Sequence, residues 1–74
     1  MKLPKLTGKE LGKIIEKLGF VHSHTTGSHA VYKHPDGRWT TIPQHAGEEI
    51  GPGLLNKIIK KDLGMSRDEF LKHI

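Results

Sequence analysis

Between Phe20 and Pro43 the helical recurrence of apolar residues stops, and short runs rich in Val, Thr, Tyr and Trp replace it, divided by turn residues. On both sides of this stretch the apolar positions return to spacings of three and four. A chain of 74 residues has room for one domain, so the helical ends and the strand-forming middle must share one core, and a single domain over residues 1–74 is expected. The middle predicts a meander of three strands, at about residues 20–25, 28–34 and 38–43. Thr26-Gly27 is expected to form the first turn and Pro35-Asp36-Gly37 the second, where proline presets the backbone, aspartate caps it and glycine accepts a positive φ.

The helices carry their own end signals. Thr7 and Glu10 have the spacing of a capping box, Leu6 and Leu11 that of a hydrophobic staple, and Gly19 suits the position after the last turn. Leu11, Ile14, Ile15 and Leu18 then make one buried stripe, with Lys9, Lys13, Glu16 and Lys17 toward water. After a loop over residues 44–51, Gly51 and Pro52 open a second helix with Leu54, Leu55, Ile58 and Ile59 as its stripe, and Gly64 closes it. Ser66 and Glu69 repeat the capping box, with Met65 and Phe70 as staple, so a short third helix is expected, fastened by Phe70, Leu71 and Ile74. The expected fold class is α+β: α-β-β-β-α with a short C-terminal helix, a three-stranded antiparallel sheet and helices on one face.

No run approaches the apolar length that crosses a bilayer, and no hydrophobic stretch of signal-peptide length follows the N-terminal Met-Lys-Leu-Pro, so a cytoplasmic protein without a membrane partner is expected. The absence of cysteine removes disulfides, thiolate nucleophiles and sulfur ligands. Twelve Lys and Arg against eight Asp and Glu give +4, a surplus that suits nucleic acid or an acidic protein.

Six histidines are the unusual part of the composition, and His22, His24, His29, His34 and His45 lie in or beside the strand region. In a regular strand His22 and His24 share a face, which with a third imidazole across the hairpin makes a metal site conceivable. Structural zinc sites in small domains usually include cysteine, and carboxylates are nearly absent between residues 20 and 44, so no metal or other cofactor is expected. His22, His24 and His34 read as hydrogen-bonded strand residues.

His29 differs, because Gly27 and Ser28 precede it at the head of the second strand, where a glycine lets a phosphate approach the backbone. Cleaving RNA requires a base for the 2′-hydroxyl proton, an acid for the leaving 5′-oxygen and donors for the charge on phosphorus, and imidazole serves either proton transfer. Gly27, Ser28 and Lys33 are candidates for phosphate contacts there, and Lys57, Lys60 and Lys61 for contacts from the second helix.

Gly27-Ser28-His29, followed by Val31, Tyr32, His34 and Pro35, resembles the glycine-serine-histidine segment of HicA toxins. The resemblance extends through Leu6-Thr7-Gly8-Lys9-Glu10, Leu18-Gly19-Phe20, Thr41-Ile42-Pro43 with His45, and Glu49-Ile50-Gly51-Pro52-Gly53-Leu54-Leu55. It implies a double-stranded-RNA-binding-like fold, a ribosome-independent ribonuclease acting on messenger RNA, a catalytic histidine at His29 and a HicB-type antitoxin that covers the site. The chain departs from the family at Ala30, where many relatives carry a second histidine, and at Asp62-Leu63. With Ala30 in that place, the proton acid is left open among His24, His45, water and His29 itself. The alternative is a non-catalytic RNA-binding module of the same fold.

Overall fold

The computed structural model of the chain describes residues 3–74. Thr7 opens the first helix, α1 (Gly8–Lys17), through a reciprocal pair: its Oγ1 accepts from the Glu10 amide at 3.2 Å, and Glu10 Oε1 accepts from the Thr7 amide at 2.9 Å. Leu6 and Leu11 are both buried, which fixes the direction in which the chain joins the helix. Beyond Leu18 the chain leaves the helix at Gly19, whose φ of 100° is open to glycine at little cost.

Three antiparallel strands follow, β1 (Val21–Thr26), β2 (His29–Lys33) and β3 (Trp39–Pro43), adjacent in that order. The first turn is Gly27-Ser28, one residue later than Thr26-Gly27, because Thr26 pairs with His29 and so belongs to the ladder. Gly27 has φ 60° at the first turn position, the geometry of a two-residue loop whose twist matches the strands it joins. In the second turn the Gly37 amide donates to the His34 carbonyl at 2.9 Å and the His34 amide to the Arg38 carbonyl at 2.8 Å, around Pro35 and Asp36.

The register decides which face is covered. Ala30 pairs with Ile42 and Tyr32 with Thr40, and all four are buried. Against them pack Leu11, Ile14 and Ile15 of α1 together with Phe20, Leu55, Ile58, Ile59, Leu63 and Phe70. The molecule is therefore α+β, with helix, three antiparallel strands and helices in chain order and the helices on one face of the sheet. Helix α1 lies close to the sheet because two of its inward positions are glycines. A Cβ on Gly12 would stand 2.5 Å from the Tyr32 hydroxyl, and one on Gly8 would collide with the Pro43 carbonyl. The Tyr32 phenol is pushed above its ordinary pKa, first by burial and then by the nearby Glu16 carboxylate.

Helix α2 (Pro52–Lys57) begins at Gly51 and Pro52 as expected, then widens into a π-helical turn, Ile58–Asp62, in which the Leu63 amide donates to the Ile58 carbonyl at 2.9 Å. Ile58, Ile59 and Leu63 are buried in this arrangement. Asp62 Oδ2 accepts the Thr40 hydroxyl at 2.8 Å, which satisfies a side chain only 1% exposed. The Leu63 carbonyl accepts from the Arg38 guanidinium, which also reaches Asp36 Oδ2 at 2.8 Å and lies 5.2 Å above the Phe20 ring. Asp62 and Leu63 thus tie the second hairpin to the helical layer.

Two expected anchors are exposed, and a third, Leu71, is only half-buried. Leu54 is 39% exposed, because the inward stripe runs through Leu55, Ile58, Ile59 and Leu63 instead. Ile74 is 58% exposed, since it lies past the end of α3 (Arg67–Leu71), and Phe70 holds that helix to the core. Ser66 Oγ accepts from the Glu69 amide at 3.1 Å, while the Glu69 carboxylate turns to Lys72 Nζ at 3.7 Å. Among the described residues no helix is long and apolar enough to cross a membrane.

Two stability outcomes follow from these contacts. Gly12→Ala is expected to lower stability by about 1–3 kcal/mol in urea unfolding through overpacking, and the cost is expected to shrink in a Tyr32→Phe background, where the opposing oxygen is gone. The Asp36 carboxyl is held below its ordinary range, first by the Arg38 amide and then by the Arg38 guanidinium and His34. Its folded pKa is the lower one, so its stabilisation is present above the unfolded pKa and is lost as pH falls through the folded value. Asp36→Asn is therefore expected to reduce the drop in Tm between about pH 5 and pH 3.

Candidate nucleic-acid interface

The sheet face turned away from the helices is set out by strand pairing as three rows. Val21, Lys33 and Trp39 form one, His24, Val31 and Thr41 the next, and Thr26, His29 and Pro43 the last. None of these nine residues is Asp or Glu. A phosphate chain laid across the face meets no like charge, and Lys33 supplies a cation at its centre edge. Trp39 is 60% exposed and Val21 64%, so an indole face is available beside that lysine.

His29 stands at the head of β2, exposed, between Thr26 and Pro43. Gly27 positions it by making the tight turn, and a Cβ added to Gly27 would meet nothing within 4 Å, so the space above the turn is open. Just outside the paired strands, the Ser28 carbonyl accepts from the Gln44 amide at 2.5 Å. Lys33 shares the face of His29, four residues along the strand and about 13 Å away at the usual strand rise.

The remaining candidates lie elsewhere. Lys57, Lys60 and Lys61 are exposed but belong to the helical layer that packs on the opposite face, with Lys60 beside Ser66, Arg67 and Asp68. The structure therefore brings His29 and Lys33 onto one face of the sheet, sets Gly27 and Ser28 in the turn just before His29, and leaves the three helix lysines in the other layer. His45 lies past the end of β3, in a groove of about 510 Å³ that it lines with Thr7, Lys9, Gln44, Ala46 and Gly47.

The expectation that His22 and His24 share a face is overturned by a β-bulge at Ser23. His22 pairs with Tyr32 and His24 with Val31, so the two point to opposite sides of the sheet. His22 Nε2 lies 2.7 Å from Thr25 Oγ1, and its ring meets Tyr32 edge-on at 5.4 Å. His34 is tied into the fold, with Nε2 donating to the Leu18 carbonyl at 3.2 Å and Nδ1 accepting from the Asp36 amide at 3.1 Å. Among the described residues no group of three or more His, Cys, Asp or Glu is placed to hold a metal ion.

Trp39 is not among the candidates that the sequence offers. The signal for Trp39 is the one indole of the chain, in a short strand, but its place beside Lys33 depends on pairing register. Replacing Gly27 by Ala places a side chain at φ 60° and is expected to cost about 1–2 kcal/mol. Urea unfolding measures that loss, and His29→Ala, exposed and in an ordinary strand, is expected to show no comparable change.

A search among curated proteins returned no match. The sequence profile described as HicA toxin of bacterial toxin-antitoxin matches residues 8–65 of the 74-residue chain. That span runs from the start of α1 through the π-helical turn to Met65 and contains all three strands. The chain belongs to the HicA toxin family of bacterial toxin-antitoxin systems.

Proposed function

We propose that this toxin is an endoribonuclease that cuts messenger RNA in the cytoplasm without a metal ion, with His29 as the base that takes the 2′-hydroxyl proton. A HicB-type antitoxin neutralises it by covering the open sheet face. The observation that carries this reading is an exposed imidazole on a carboxylate-free face that also presents Lys33 and Trp39. Phosphates approach such a surface without repulsion, the indole offers a base a stacking partner, and the imidazole meets the sugar-phosphate at the end of the track.

Gly27 and Ser28 bring backbone and hydroxyl donors to the phosphate beside His29, and Lys33 holds the next stretch of chain. Lys57, Lys60 and Lys61 contact flanking phosphates where the RNA reaches the helical layer. The α-β-β-β-α order is also that of the double-stranded-RNA-binding-like fold implied by the resemblance to the family.

RNA incubated with the protein in excess EDTA tests the reading. Cleavage is expected to persist, and His29→Ala is expected to lower its rate by about 10²–10⁴ while RNA binding remains. Binding without scission, unchanged by His29→Ala, would favour a non-catalytic RNA-binding module of the same fold, and cutting that requires a divalent ion would contradict the mechanism. Replacing Lys57, Lys60 and Lys61 together by Ala is expected to weaken RNA binding and to flatten the plot of log K against log salt by about 2 units. An unchanged slope would remove those lysines from the interface.

A further inference from the structure

The reaction assigned to His29 leaves the proton for the departing 5′-oxygen without a donor. The bulge at Ser23 bears on this directly. Without it, His24 would follow the parity of His22 and face the helices. With the extra residue, His24 pairs with Val31 and shares the open face with His29, which pairs with Thr26 two residues further along β1. His24 and His29 are thus diagonal neighbours across the hairpin, a relation that places their backbones about 7–8 Å apart.

We infer that His24 is the second catalytic residue of this toxin, the acid that protonates the leaving 5′-oxygen, an assignment that rests on the ribonuclease reading at His29. Attacking and leaving oxygens lie on opposite sides of phosphorus in an in-line displacement, so base and acid must flank the phosphate from two sides. Two imidazoles on the diagonal of one open hairpin meet that demand. Ser23 Oγ lies 3.1 Å from His24 Nδ1, which occupies that nitrogen and leaves Nε2 for substrate. A hydroxyl both donates and accepts, so Ser23 can partner Nδ1 before and after His24 gives up its proton.

The step balances. His29 takes the 2′-hydroxyl proton, the 2′-oxygen forms a bond to phosphorus, the bond from phosphorus to the 5′-oxygen breaks, and that oxygen takes the proton from His24. The products are a 2′,3′-cyclic phosphate and a free 5′-hydroxyl. His29 ends with one more proton and His24 with one fewer, and exchange with water restores both.

The other imidazoles in or beside the strand region are less well placed. His22 is turned to the opposite side and bonded to Thr25, and His34 is held by Leu18 and Asp36. His45 is outside the paired region and lines the groove beside Lys9 and Gln44. The titratable or charged groups on the open face are His24, His29 and Lys33, with none contributed by β3.

The test compares an RNA oligonucleotide, mapped for its cleavage position, with the same oligonucleotide carrying sulfur in place of the bridging 5′-oxygen there. A thiolate leaves without protonation, so loss of the acid matters only for the oxygen substrate. His24→Ala and His24→Gln are expected to slow the oxygen substrate by about 10²-fold or more and the sulfur substrate by less than about threefold. His29→Ala is expected to slow both, and His45→Ala neither. The limb of the pH profile that falls as pH rises is expected to disappear in the His24 variants.

Equal slowing of both substrates by the His24 variants, or no slowing of either, overturns the assignment while leaving His29 in place. The leaving-group signature appearing in His45→Ala instead also overturns it. If His29→Ala cleaves both substrates at the wild-type rate, the reading at His29 fails and this inference fails with it.

Discussion

Alternation along the strands is the constraint on which the molecule depends. A chain of this length has helices enough to cover one face of a three-stranded sheet, so Ala30, Tyr32, Thr40 and Ile42 go into the core and their neighbours remain in water. A shift of one residue in register would exchange the two sets. The hydrophobic face therefore also determines the composition of the exposed one, where His29, Lys33 and Trp39 stand together because Ala30, Tyr32 and Thr40 point the other way.

Three devices hold that alternation in place. The Gly27-Ser28 turn fixes how β1 meets β2, the glycines at positions 8 and 12 let α1 come down onto the sheet, and the π-helical turn delivers Asp62 and Leu63 to Thr40 and Arg38. The bulge at Ser23 interrupts the alternation once, on the edge strand, where β1 has only β2 beside it. Bulges concentrate on such strands and re-aim side chains there, and this one moves His24 to the open face.

The parts of the fold written in local chemistry were legible in the sequence. The Thr7 and Glu10 box, the Pro35-Asp36-Gly37 turn and the Gly51-Pro52 helix start each involve residues within four of one another, and each appears as read. The parts that depend on distant partners were not. Gly8 and Gly12 have no side chain for a periodicity to register, the π-helical turn is bound up with partners on β3 and the preceding loop, and Leu54 loses its inward place to a stripe that shifts with the widened helix. At the candidate site, the shared face of His29 and Lys33 follows from the period of two. Trp39 joins them only through pairing, and Lys57, Lys60 and Lys61 fall in the other layer because tertiary packing, not spacing, decides which layer a helix occupies.

The central claim is that RNA lies on the open sheet face, with His29 at the reacting phosphate. The most direct measurement is an NMR titration of ¹⁵N-labelled protein with a 2′-O-methyl RNA oligonucleotide, which binds but has no 2′-hydroxyl to activate. Amide shifts concentrated at Thr26, His29, Val31, Lys33, Trp39 and Thr41 are the expected result. Shifts confined to the two longer helices and the π-helical turn, with those strand amides unmoved, would contradict it.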